Sequence, residues 1–158
     1  MSALGDALEA LFGVLDTAAQ VPGASIPRPL QNEALPARLV QMPSGLEEHL
    51  NIWDSGEQQA DEFVGADSLD QGYELEWSVP IDYVVAGGTR AERRDAFEAG
   101  LEAIWDAIAA DRTLGGKIAY AEMSTPRRTG SGLVTDGMPN VLAAEITMKL
   151  SFTSSRSF

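Results

Sequence analysis

Hydrophobic positions recur at two different periods along this chain, and each change of period marks an element. Leu4, Leu8, Leu11, Leu15 and Ala18 fall at spacings of four and three, which is one face of a helix over residues 3–19. Ser2 stands where an N-cap belongs, and Pro22 and Gly23 end the run. From Tyr73 to Ala86 the period is two. Tyr73, Leu75, Trp77, Val79, Ile81, Tyr83 and Val85 alternate with a mostly polar set, so a strand with one core face is predicted. Pro80 removes a ladder donor and predicts an edge or a bulge there. Gly87 and Gly88 break the strand. Thr89 and Glu92 then match a capping box, and Phe97, Leu101, Ile104 and Ile108 form the stripe of a second helix, stopped by Gly115 and Gly116. Gly100 lies near that stripe at a cost of about 1 kcal/mol of helix propensity, and reads either as room for the close approach of a strand or as chance. Arg93 and Arg94 open this helix on its predicted solvent side.

The remaining segments carry weaker patterns. Ile26 to Gln31 contains Pro27 and Pro29 and reads as an edge strand or an extended arm. Ala37 to Met42 and Leu50 to Trp53 read as a loose hairpin across Pro43, Ser44 and Gly45. Residues 55–72 are polar, acidic and aperiodic, and read as a surface loop of about 18 residues, a length that is usually functional or mobile. Lys117 to Met123 and Val141 to Phe152 read as strands joined through residues 124–140, with Arg127 and Arg128 on a flexible tip and a turn at Asp136-Gly137. Residues 153–158 read as a polar C-terminal arm. The expected fold is a single α+β domain over residues 1–158, with a mixed, mostly antiparallel sheet and two amphipathic helices on one face.

Composition narrows the chemistry. At 158 residues the chain buries enough surface to need no staple, and with no cysteine it has no disulfide, thiolate metal site or thiol nucleophile. The first twenty residues hold Asp6, Glu9 and Asp16 but no Lys or Arg, the wrong charge for an export signal, and no apolar run is long enough to span a bilayer. A net charge of −13 argues against sequence-independent binding to DNA. Eleven acids and no Lys or Arg lie between Arg38 and Arg90. Among them, Glu47, Glu48, Glu57, Asp61, Glu62, Asp67 and Asp70 form an acidic stretch that reads as a solvated surface, or as a wall that repels a polyanion or docks a basic partner. The Arg127-Arg128 tip reads as a solvated turn, or as a basic tip that docks into the acidic 47–76 region of a neighbouring copy, and head-to-tail contacts of that kind close rings when the rotation allows.

No catalytic set is apparent. The single histidine, His49, sits beside Glu47 and Glu48 and reads as a surface residue. There is no Gly-x-Ser-x-Gly elbow, and Thr129-Gly130-Ser131-Gly132 lacks the Lys of a phosphate loop. The pairs Asp61/Glu62 and Asp67/Asp70 do not match a calcium-loop spacing. The expectation is no enzyme, no metal and no cofactor.

Several short runs, in order along the chain, resemble the tail terminator and tail-completion proteins of long-tailed phages and gene transfer agents. They are Val21-Pro22-Gly23, Ile26-Pro27-Arg28-Pro29, the run Leu50 to Gly56, the alternating strand Tyr73 to Val85, the closing strand Ala144 to Phe152 and, above all, Ala109-Ala110-Asp111-Arg112-Thr113-Leu114-Gly115-Gly116. The resemblance implies a virion protein assembled in the host cytoplasm. It implies a homohexameric ring that caps the tail tube, stops its growth and offers its other face to a head-completion protein, with DNA passing through in transit. It carries no catalytic residues. The rival readings are another neck component, such as a connector, and a small acidic enzyme or ligand-binding domain.

Overall fold

The computed structural model describes residues 2–40, 44–64, 71–128 and 141–154. Helix α1 (Ala3–Ala19) begins where the Ser2 hydroxyl accepts the Gly5 N–H at 3.1 Å, and it buries Ala7, Leu8, Leu11 and Leu15. Helix α3 (Arg90–Ala110) has the complete capping box between Thr89 and Glu92 and buries Phe97, Leu101, Ile104 and Ile108. Both helices pack on one face of a sheet that has seven strands among the described residues.

The spine of the sheet is β4 (Gln71–Ala86), paired antiparallel with β7 (Val141–Ser154) from Tyr73↔Ser154 to Ala86↔Val141. Two strands share the other edge of β4. Its N-terminal half pairs with β3 (Glu57–Val64) and its C-terminal half with β2 (Glu47–Ile52), which in turn pairs parallel with the two-residue β1 (Leu30–Gln31). The outer edge of β7 is shared likewise by β5 (Tyr120–Met123) and β6 (Arg127–Arg128). The α+β class and the mostly antiparallel sheet are as expected from the sequence. The alternating residues of β4 are the core face: Leu75, Trp77, Val79, Ile81, Tyr83 and Val85 are all buried against the helices.

Four local expectations are corrected. Residues 57–64 form β3 rather than part of a loop; pairing to the exposed half of β4 supplies the hydrogen bonds that an aperiodic, polar sequence does not advertise. Residues 37–40 form a short helix, α2 (Ala37–Val40), rather than a hairpin arm. Pro80 lies in a central strand, neither at an edge nor in a bulge. It stands where β3 ends opposite Ser78 and β2 ends opposite Ile81, and its carbonyl accepts the Trp53 N–H of the crossover at 3.0 Å. Its ring therefore faces the one gap along that edge where no ladder donor is required. Finally, β7 runs through Thr153 and Ser154, so the first part of the expected arm is strand; residues 155–158 lie outside the described ones, as do Asp136 and Gly137.

The β2–β3 crossover needs Gly56. Its φ is +118°, and a Cβ there would stand 2.0 Å from the Ser78 carbonyl oxygen. Nearby, Asn32 in the left-handed region (φ 56°) accepts the Asp54 N–H on its side chain.

Candidate interaction surface

The sheet is covered on its second face as well, at the β2 end. His49 is 3% exposed and Asn51 is fully buried, opposite Val84 and Asp82 respectively. His49 is thus not a surface residue. The 32–40 segment lies against this face: the Glu33 N–H bonds the Asn51 side-chain oxygen at 2.8 Å, and Leu39 is buried outside the helix-side core. Asp82 accepts the Trp53 indole N–H at 2.7 Å. Burial pushes its carboxyl above the usual range; the indole bond opposes that, and the charge of Glu145 adds to it.

On the helix side, Tyr83 organises the junction of β2, β4 and α3. Its ring stacks on Phe97, with centroids 5.7 Å apart. Its hydroxyl lies 2.9 Å from Glu48 Oε1 and 3.3 Å from the Ala96 carbonyl oxygen. Gly100 makes this possible, because a Cβ there would fall 1.9 Å from the hydroxyl. The close approach expected at Gly100 is therefore made by a tyrosine side chain rather than by the strand backbone. Glu48 is half-buried, and burial raises its pKa against the lowering effect of the Tyr83 bond. It stands in an open groove of about 410 Å³ whose walls include Ala24, Pro27, Leu46, Ala96 and Ala99.

The predicted acidic stretch is not one patch. Glu47 pairs with Ala86 and Glu62 with Tyr73, thirteen residues apart on β4, or roughly 43 Å. Glu47 and Glu48 open β2, and adjacent strand positions face opposite sides. Glu57 opens β3, and Asp61 stands in register with Glu74. Asp67 and Asp70 lie outside the described residues.

The basic tip is also not a free loop. Arg127 and Arg128 form β6 against β7. Arg128 makes a two-pronged ion pair with Glu98 and lies over the Phe97 ring, and Arg127 reaches Glu145 at 4.0 Å. Arg93, expected on the solvent side, is buried and donates to the Gly87 and Gly88 carbonyls, tying the start of α3 to the end of β4.

The run 109–116 forms a compact turn. The Asp111 carboxylate accepts the Gly115 N–H at 2.7 Å and the Thr113 hydroxyl at 3.1 Å, and Thr113 accepts the Gly116 N–H. Leu114, Gly115 and Gly116 all have positive φ. Arg112 exchanges two hydrogen bonds with Ala121 on the outer edge of β5, which blocks that edge to strand pairing. Its guanidinium also lies 5.7 Å from the Trp105 ring and 5.3 Å from the Tyr120 ring. These rings are 47% and 46% exposed, which is unusual for large aromatics. In the sequence, Trp105 lies beside the helical stripe of α3, and that is the available signal for an exposed ring; Tyr120 carries none.

No family model matches the chain, and no curated protein matches it. Among the described residues no helix is long and apolar enough to cross a membrane, and no group of three or more His, Cys, Asp or Glu is placed to hold a metal.

Proposed function

We propose that this chain is a structural protein of a phage tail: a terminator whose copies form a hexameric ring on the last ring of the tube, stop its growth and present a surface to the head or neck. The observation that carries the reading is the turn at 109–116. The run on which the resemblance chiefly rests uses Asp111, Thr113 and Arg112 to build a rigid link between α3 and β5, leaving an aromatic surface beside it.

The ring partners are copies of itself, the tube protein and a head-completion protein, and DNA is a passenger. Acidic side chains on the channel wall would keep DNA from adhering, by like-charge repulsion. Glu47 and Glu48 at one end of the sheet and Glu57, Asp61 and Glu62 at the other are the candidates, at different heights of such a channel. Deleting the gene from its parent phage tests the function. Overlong, headless tails are the expected result; tails of normal length would refute it.

A further inference from the structure

The exposed aromatics and the groove lie on opposite flanks of α3. Nine residues separate Ala96 from Trp105, which at about 3.6 residues per turn is two and a half turns, so the two side chains point in opposite directions. One flank carries a knob, the Trp105 and Tyr120 rings held by the Arg112 guanidinium. The other carries a groove whose α3 wall is the two small residues Ala96 and Ala99. We propose that the Trp105–Arg112–Tyr120 knob of one copy seats in the groove beside Glu48 of the next, and that this contact joins the subunits.

Three complementarities support the pairing. The first is size. The groove, about 410 Å³, is floored on the α3 side by two alanines, leaving room for a bulky ring, and Leu46 at its wall is itself 40% exposed. The second is chemistry. An indole N–H is a donor that needs an acceptor when buried. The groove offers the Glu48 carboxylate, whose described hydrogen bond is to the neutral Tyr83 hydroxyl. The third is charge. The knob carries a cation, and the groove holds a half-buried carboxylate. Trp, Tyr and Arg are also the residues that dominate protein–protein binding energy. A knob and its socket on different flanks make a heterologous contact, which repeats from copy to copy until the rotation closes a ring.

The inference rests on the ring reading and specifies its contact. Two variants test it, each checked for native circular dichroism: Trp105→Ala/Tyr120→Ala, which keeps the groove, and Ala99→Phe, which keeps the knob and fills the groove. Masses are measured by sedimentation from micromolar to near-millimolar concentration. The expected result is a ring for the wild-type chain, a monomer for each variant alone, and a 1:1 heterodimer with no larger species when the variants are mixed, because the mixture holds one productive knob and one open groove. A wild-type ring with a monomeric mixture, or with either variant assembling normally, overturns the contact and leaves the ring reading standing. A wild-type chain that stays monomeric throughout overturns the contact as a site of self-association, and tail length in the gene deletion then decides the function separately.

Discussion

Replacing Gly100 by Ala should destabilise the protein although it improves a helix. The added methyl would lie 1.9 Å from the Tyr83 hydroxyl oxygen, 2.3 Å from Cζ and 2.7 Å from Cε2. Ordinary contact begins near 3.4 Å, so something must move by about 1.5 Å. Tyr83 is fully buried and stacked on Phe97, and α3 is held by its capping box and by Arg93, so neither partner yields easily. Overpacking of this kind costs roughly 1–3 kcal/mol. Pushing the hydroxyl away from Glu48 adds about 1.5 kcal/mol for a hydrogen bond to a charged group. The gain in helix propensity returns about 1 kcal/mol. The net expectation is a loss of about 2.5 kcal/mol, read as a lower urea midpoint at unchanged slope, or as a fall in Tm of roughly 5–10 °C for a chain of this size. The decisive comparison is the same substitution in a Tyr83→Leu background. Leucine lacks all three clashing atoms, so Gly100→Ala should there become neutral or stabilising by up to about 1 kcal/mol. A Gly100→Ala effect with the same sign and size in both backgrounds would refute the argument that glycine is required by the tyrosine.

Other perturbations follow from the same contacts. Gly56→Ala sets a methyl against the Ser78 backbone at a φ of +118° and should cost about 2–4 kcal/mol by urea denaturation, with no side-chain change able to rescue it. Thr89→Ala removes the capping box of α3 and should cost about 1 kcal/mol, measured the same way. Asp82 has its folded pKa raised, first by burial, so the folded chain holds that proton more tightly than the unfolded chain. The associated stability is complete below the ordinary value of 3.8 and is lost as pH rises through the folded pKa. Asp82→Asn, which keeps an acceptor for Trp53, should therefore be more stable than wild type at pH 7, with the difference shrinking by pH 4; a pH-independent difference would contradict this. Glu98→Gln breaks the exposed pair with Arg128 and should change stability by less than about 1 kcal/mol in a thermal melt.

The elements that were legible in the sequence are those that bury one face and leave the other in water. The period-two run of β4 and the stripe and cap of α3 announce themselves because one side of each meets the core. β3 lacks such a signature. Its run of Glu, Gln and Asp becomes a strand only because β4 extends past β2 and offers an unpaired edge. His49 was misread because neighbouring acids suggest solvent, whereas the 32–40 segment folds back over the second face of the sheet. Pro80 was misplaced for the opposite reason: the local rule is sound, but the gap that satisfies it is created by two strands remote in sequence. The candidate surface was less legible still. The acids were visible, but their separation along β4 was not, and the groove exists only where α3, β2 and the α1–β1 connection meet.

The β4–β7 spine also dictates an order of events at the ribosome. Its closest partners, Ala86 and Val141, are separated by 55 positions, and its farthest, Tyr73 and Ser154, by 81. Contacts of such long range slow folding. At about 5–20 residues per second, the 68 residues from the end of β4 to the end of β7 take roughly 3–14 s to synthesise. Throughout that interval β2 and β3 can dress one side of β4 while the other waits as an open, hydrophobic-faced edge. An open edge of that length is the kind that pairs with the wrong neighbour, and Glu74, Glu76 and Asp82 are the charged residues spaced along it.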